Sequence, residues 1–374
     1  MKKWIVAILV SLTVLTVFIG ISLRNNAGPE KVSSHGSSTT NDSNGTVLQT
    51  SGGSIQNNYV NAHNKGSISK DFVALYTYAF EEGAEFITFK NGKVSDSWQI
   101  DNAIGLDIIK YKKPNDLFAY SSTNKKGYKI SLNRKETKEL TENNSLTLLK
   151  IGESKDFFAL RDEDMDYNWF VVKNNNGQIQ LNHRLEGYIT GTIEGEKNYF
   201  VSVDIIPEAR SVLYVFDKKT NKLVKTIELS EKYGDDIALF GNKAVLTTKG
   251  KLTAIDLDTW EINEISYPFS NSDPLKLYVF KEQLYMTLNN EETGLKVVVF
   301  DDSLNVTRKE DFNFPYTDAI FKKGKLYVAS YSLNPNYGGI LGEFDLENLK
   351  KESQFQLPKS ELPEAAFYGF EILD

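Results

Sequence analysis

The chain has 374 residues, of which 40% are hydrophobic and 25% charged, with no cysteine, three histidines and a formal net charge of −7. This is globular composition, and it excludes wholesale disorder, disulfide staples, zinc–thiolate or iron–sulfur centres and a cysteine nucleophile. The acidic balance also argues against nucleic acid as a partner.

Lys2 and Lys3 precede a predominantly apolar run, residues 4–23. A helix of that length spans roughly 30 Å at about 1.5 Å per residue, the thickness of a bilayer's hydrocarbon core. Residues 1–23 are therefore expected to form an uncleaved signal anchor, a single-pass transmembrane helix. A cleaved secretory signal is the alternative, although Asn25-Asn26-Ala27 makes a poor small-x-small cleavage site. The two lysines before the span favour a cytoplasmic N-terminus and an extracytoplasmic remainder, secreted if the segment is cleaved. Residues 24–70 then turn to Ser, Thr, Asn and Gly. They hold too few apolar side chains to offset ordering entropy and are expected to be a flexible linker, with His35 and His63 solvated within it. About 45 such residues reach roughly 35–40 Å, enough to hold a domain clear of a membrane.

From Asp71 onward short apolar-alternating runs are separated by Gly, Asn and Asp turns, with no sustained helical period. One hairpin recurs, in Phe86-Ile87-Thr88-Phe89-Lys90-Asn91-Gly92, in Tyr128-Lys129-Ile130-Ser131-Leu132-Asn133-Arg134 and in Trp169-Phe170-Val171-Val172-Lys173-Asn174-Asn175. Further copies turn near Lys219, Asp258, Ser303 and Glu347. The turns repeat roughly every 39–45 residues, the length of a four-stranded propeller blade. Residues 71–374 are thus expected to be all-β, a seven-bladed β-propeller with four-stranded antiparallel blades. The first hairpin has one upstream strand where the others have two, and residues 365–373 are an orphan run. That run is expected to supply the innermost strand of the first blade and close the ring.

Residues 213–229 read Leu-Tyr-Val-Phe-Asp-Lys-Lys-Thr-Asn-Lys-Leu-Val-Lys-Thr-Ile-Glu-Leu. With Asp217, Thr220, Asn221, Thr226 and Ile227 in place, this hairpin resembles the YVTN-type repeat and the repeats of pyrroloquinoline-quinone enzymes. Asp217 can accept backbone N–H bonds across the turn, and Asn221 tolerates positive φ. The other copies keep the spacing and lose the motif, so the resemblance implies a fold rather than a function. Trp98, Trp169 and Trp260 sit in separate blades and form no array for a quinone, and no cofactor is expected on that ground.

Connections between second and third strands, and between blades, share one face, called here the top; the other hairpins share the bottom. The longest top hairpin carries Asn334, Asn336 and Tyr337 after Tyr331, beside Tyr316 and Asp318. Tyrosines next to Asn and Asp at a propeller's mouth suit stacking on a sugar or gripping a peptide, and these six are the candidate ligand-binding residues. Asp162, Asp164, Asp166 and Asn168 place oxygens at alternate positions, as a calcium loop would. Tyr167 stands where such a loop needs glycine and Lys173 where it needs glutamate, which favours a solvated acidic turn over calcium. Lysines collect in bottom turns, as expected either of turns in general or of a face meeting an anionic membrane or wall polymer. No nucleophile elbow, phosphate loop or metalloprotease helix occurs, and His183 alone in the domain leaves little imidazole chemistry. The function expected is a membrane-tethered extracytoplasmic module that binds a ligand or scaffolds a protein, peptide or cell-wall glycan. The alternative is a surface hydrolase using top-face carboxylates on a carbohydrate or phosphoester.

Overall fold

Seven four-stranded antiparallel sheets follow one another along the chain. The computed structural model describes residues 68–373, except positions 79–80, 107, 113–115, 122, 134–135, 142–145, 153, 165, 207–209, 231–235, 249, 270–271, 291–293, 333 and 335. The expected anchor and all but the end of the expected linker lie outside the described residues. Among the described residues no helix is long and apolar enough to cross a membrane.

Blade 1 takes β1 (Phe72–Thr77), β2 (Glu82–Lys90) and β3 (Lys93–Ile104). Blade 2 is β4 (Ile108–Lys112), β5 (Asp116–Ser121), β6 (Lys126–Ser131) and β7 (Glu136–Thr141). Blade 3 is β8 (Leu146–Ile151), β9 (Lys155–Arg161), β10 (Tyr167–Asn174) and β11 (Ile179–Glu186). Blade 4 is β12 (Tyr188–Glu194), β13 (Asn198–Ile205), β14 (Arg210–Asp217) and β15 (Leu223–Leu229). Blade 5 is β16 (Ile237–Phe240), β17 (Lys243–Thr248), β18 (Lys251–Asp256) and β19 (Ile262–Ser266). Blade 6 is β20 (Asp273–Phe280), β21 (Gln283–Asn290), β22 (Gly294–Phe300) and β23 (Val306–Asp311). Blade 7 is β24 (Asp318–Lys322), β25 (Lys325–Tyr331), β26 (Gly339–Asp345) and β27 (Lys350–Leu357). The last strand, β28 (Ala366–Ile372), returns to blade 1 and pairs with β1 from Phe72↔Ile372 to Thr77↔Ala366.

Middle strands are covered on both faces by neighbouring blades and are therefore buried nearly throughout, as in β22, buried from Leu295 to Phe300 with Lys296 paired to Asp311 among them. Outer strands such as β15 are mostly exposed and alternate. The core is accordingly a set of layers between blades. Phe170 of blade 3 lies 6.0 Å from Phe216 of blade 4, and Tyr278 of blade 6 stacks at 5.0 Å on Phe321 of blade 7. Closure is apolar too: Phe367, Phe370 and Ile372 are buried with Phe72, Tyr327 and Phe355.

Hairpin turns owe their shape to aspartate. Asp217 Oδ1 accepts the N–H groups of Lys219 (3.1 Å) and Thr220 (2.7 Å) and the Thr220 hydroxyl (2.7 Å), and Asn221 follows at φ 55°. Asp256 repeats this with Asp258, Thr259 and Trp260 (φ 64°), and Asp345 with Glu347, Asn348 and Leu349 (φ 52°). The motif of residues 213–229 thus survives as geometry in blades 5 and 7, where its lettering is lost. Thr220 holds the Asp217 carboxyl below the usual carboxylate range, as the Thr259 N–H does for Asp256.

A basic side chain crosses every junction between blades. Lys110 reaches Glu371 (3.9 Å), Lys112 reaches Asp156, and Lys155 reaches Glu194 (3.2 Å). Lys225 lies over the Trp260 ring (5.6 Å), Lys243 donates to the Asp302 carbonyl (3.3 Å) and Lys281 meets Glu347. Lys322 completes the circuit at the Ile372 carbonyl (2.8 Å). Five of the lysines at or beside bottom turns, Lys112, Lys155, Lys243, Lys281 and Lys322, are thus junction ties.

The chain enters at blade 7. Ile68 is buried, and the Ser69 N–H donates to Glu343 Oε2 (2.9 Å) while its hydroxyl meets Oε1. Tyr327 and Ser353 also donate to this buried carboxylate, at 3.3 and 3.2 Å. The packed domain therefore takes in Ile68–Lys70, which composition alone assigns to the linker.

Candidate functional site

Innermost strands of a propeller surround its axis. Here β28 touches β4 and β24, and the succession β4, β8, β12, β16, β20 is in contact pairwise. Four of these strands carry a one-residue bulge near their top ends. The register skips Tyr368 in β28, Thr147 in β8, Thr190 in β12 and Leu275 in β20. A bulge re-aims the side chains beside it. Tyr368 is left 48% exposed on an inner strand.

The channel so formed is charged. Glu371, Lys110, Lys150, Lys276 and Asp318 come from the innermost strands of blades 1, 2, 3, 6 and 7, and Asp236 directly precedes that of blade 5. They feel one another: Lys110 attracts both Asp318 and Glu371, Asp236 attracts Lys150, and Lys276 attracts Asp318. Burial pushes the carboxyls of Asp318 and Glu371 above the usual range and the Lys150 ammonium below its own. Asp236 is pinned across blades 5 and 6 by the N–H groups of Ile237 (2.9 Å) and Leu277 (2.8 Å). Lys150 donates to the Thr192 carbonyl of blade 4 (2.8 Å). A Cβ added to Gly369 would lie 3.9 Å from Asp318 Oδ2, which places that oxygen against β28.

The six candidate binding residues divide between two places. Tyr316 and Asp318 belong to the channel mouth, where burial and the charges of Asp318 and Asp236 push the Tyr316 phenol up. Tyr331, Asn334 and Tyr337 line a separate groove of about 420 Å³ with Lys359, Glu364 and Phe367. Asn336 does not line it; its N–H caps the turn at Asn334 Oδ1 (2.9 Å). The two places are adjacent, because the Tyr331 N–H donates to the Thr317 hydroxyl (3.2 Å).

The groove's far wall is the connection from β27 to β28, held at three points. The Tyr76 and Tyr78 hydroxyls donate to the carbonyls of Pro358 and Pro363, both at 2.6 Å. Glu85, wholly buried, accepts from the Ser360 hydroxyl (2.6 Å) and the Glu361 N–H (2.8 Å), and burial raises its carboxyl. The wall is thus built rather than loose.

The acidic loop is arranged around an arginine. Arg184 Nε donates to Asp162 Oδ2 (2.6 Å), its Nη2 lies 3.5 Å from Asp164 Oδ2, and its guanidinium lies over the Tyr167 ring at 3.9 Å. That contact holds the Asp162 carboxyl below the usual range. Asp164 Oδ1 receives the Asp166 N–H (3.4 Å). Asn168 is buried, its amide donating to the Gly187 carbonyl (2.7 Å) and its oxygen accepting from Thr147 (3.3 Å). Asp162 and Asp164 are thus engaged by Arg184, and Asn168 by Gly187 and Thr147. Among the described residues no group of three or more His, Asp or Glu is placed to hold a metal ion. His183 packs edge-on against Phe216 at 5.0 Å.

Comparison with known proteins supports the architecture. No family model matches the chain. An uncharacterized protein of Bacillus subtilis, YeeG, is 29% identical over 153 residues, which are 40% of this chain and 44% of that protein. The match thus spans less than half the length of this relative. Among solved structures, apo AztD from Citrobacter koseri aligns with TM-score 0.53 and 10% identity over 81% of this chain and 98% of that one. A streptogramin B lyase aligns with TM-score 0.52 and 12% identity over 78% and 89%, and the Dos1 propeller with 0.53 and 12% over 68% and 72%. At such identity these likenesses establish the propeller fold alone.

Proposed function

We propose that this chain is a membrane-tethered, outward-facing propeller that binds an extended ligand, a peptide or a wall glycan, on its top face. The observation that carries the reading is the groove between the β25–β26 hairpin and the β27–β28 connection. Tyr331, 49% exposed, presents a ring beside Asn334 and Tyr337, with Glu364 the one carboxylate among the lining residues. Such an aromatic and amide surface with braced walls suits stacking and hydrogen bonding rather than bond cleavage. The tether rests on residues 4–23 and the low-complexity stretch after them. The test is capture of envelope peptidoglycan fragments and envelope peptides by the full chain and by Tyr331→Ala and Tyr337→Ala. Retained ligand should fall about tenfold in each variant, the loss of roughly one aromatic anchor. Capture that is unchanged in both refutes the groove, and recovery of the chain in the cytosolic fraction refutes the tether.

A hydrolase retains one specific observation. Asp318 and Glu371 share the channel, and after burial the charge of Asp318 adds to the rise of the Glu371 carboxyl. Turnover of glycosides or phosphoesters that Asp318→Asn abolishes would favour that reading over binding alone.

A further inference from the structure

The seam between blades 7 and 1 holds two buried carboxyls with very different company. Glu343, nearer the bottom turns, receives the Ser69 N–H and hydroxyl and the hydroxyls of Tyr327 and Ser353. Glu85, toward the top of β2, is as deeply buried but engages one oxygen only. Its Oε2 accepts from the Ser360 hydroxyl (2.6 Å) and the Glu361 N–H (2.8 Å), whereas Oε1, sealed from water, receives no hydrogen bond. The same Ser360 hydroxyl accepts the Leu362 N–H (3.0 Å), so Glu85 is linked through Ser360 to two residues that line the groove. Tyr76 and Tyr78 pin the segment on either side, at Pro358 and Pro363. Between those pins, Ser360 and Glu361 are tied to blade 1 at Glu85.

We propose that Glu85 is a protonation latch beneath the far wall of the groove: while its carboxyl is neutral the segment between Pro358 and Pro363 stays closed on blade 1, and ionisation lets that segment lift. The consequence for binding rests on the groove reading, but the latch itself needs no ligand. A proton on the unengaged Oε1 leaves both bonds at Oε2 in place. Without that proton the site holds a buried anion with one oxygen unused, which is costly unless a cation compensates. The surroundings supply none. β1 contributes Tyr76 and Tyr78, whose hydroxyls are turned to the proline carbonyls, and β3 contributes the neutral Gln99 opposite Glu85 in the ladder. Blade 7 brings apolar Phe355 and Leu357 to the seam. On the connection, Lys359 and Glu364 are exposed and line the groove, and Lys359 forms no ion pair with Glu85. Burial raises the Glu85 carboxyl, the like charge of Glu361 adds to the rise, and the bonds from Ser360, Glu361 and Gln99 offset only part of it. Lifting the segment admits water and returns the carboxyl to its ordinary range. The closed wall therefore binds the proton more tightly than the lifted one, and closure weakens as pH rises through the interval between the two.

The test is amide hydrogen exchange of the full chain in detergent, without ligand, at about pH 5 and pH 8, corrected for intrinsic exchange rates and referred to the amides of β22. Protection of residues 359–362 should be at least about threefold greater at the lower pH in the parent. Glu85→Gln, which is neutral throughout and keeps an acceptor for Ser360 and Glu361, should give equal protection at both. Ser360→Ala removes a donor that favours the ionised form, so its pH response should exceed the parent's; it also keeps the test alive if Glu85→Gln melts too low to use. The latch is overturned if the parent shows no pH response or the opposite one, if Glu85→Gln responds as the parent does, or if Ser360→Ala responds less. Capture of envelope fragments at the same two pH values separates the two readings. Exchange that follows the expected pattern with no capture at either pH refutes the groove and supports the latch. Capture that depends on Tyr331 but is accompanied by pH-independent exchange refutes the latch and supports the groove.

Discussion

Substituting Phe370 measures what the returning strand contributes. Phe370 is 1% exposed, faces Ala74 in the β1–β28 ladder, and packs in the layer that joins blades 7 and 1. Truncating a buried phenylalanine to alanine costs about 3–5 kcal/mol, the lost transfer energy plus the cavity left behind. For a domain of this size each kcal/mol lowers Tm by about 2–4 °C, so Phe370→Ala should melt roughly 10 °C below the parent. Tyr368 is the matched control: it lies on the same strand, two residues away, but at the bulge and half exposed. Its truncation should cost no more than about 1 kcal/mol. Urea titration followed by tryptophan fluorescence is a suitable assay, because Trp98 stacks on Phe86 within blade 1 (5.5 Å). Equal losses from the two substitutions would refute the register of β28. Deletion of the strand that left a single unchanged transition would refute closure altogether.

Other expectations follow from particular residues. Asp318→Asn removes a carboxyl whose folded pKa is raised, and the folded state therefore binds more protons than the unfolded one above the ordinary aspartate range. Stability from this group declines as pH rises through that window, so the variant should gain on the parent at pH 8 and match it near pH 4; the reverse order in pH-dependent melts would be contrary evidence. Gly294 sits at φ 78°, and a Cβ there would meet the Phe314 carbonyl oxygen at 2.1 Å. Gly294→Ala should destabilise by about 1–3 kcal/mol, and urea midpoints equal to the parent's would refute the strain. Calcium at about 1 mM should leave the melting temperature unchanged, since Arg184 already neutralises Asp162 and Asp164; a rise of several degrees would show that those oxygens regroup around the ion.

Much of the architecture was legible because each blade must supply the same hairpin, and the turn spacing survives when individual letters do not. The aspartate turn shows the limit. Asp256 and Asp345 do the work of Asp217, but Trp260 and Leu349 replace asparagine at the positive-φ position, so the copies do not look alike. The channel went unread for a different reason. Its charges depend on bulges at Leu275 and Tyr368, and a bulge leaves no constant mark in sequence. A signal was nonetheless present. Lys150 and Glu371 are each a lone charge one residue from the end of a short apolar strand. The candidate patch divided because its residues follow two connections of one blade. The hairpin carries Tyr331, Asn334 and Tyr337 outward to the groove, whereas Asp318 begins the innermost strand and Tyr316 lies two residues before it.

Closure by β28 also fixes when the molecule can be finished. A ribosome delivers Phe72 about 300 residues before its partner Ile372, which at about 5–20 residues per second is a wait of roughly 15–60 seconds. The Glu343 carboxylate that receives Ser69 is similarly late. Throughout that interval β1 presents an unpaired inner edge, an invitation to mispairing that a chaperone or a confined passage would have to suppress. The last strand therefore acts as a completion signal, withholding a closed fold from any chain whose synthesis stops short.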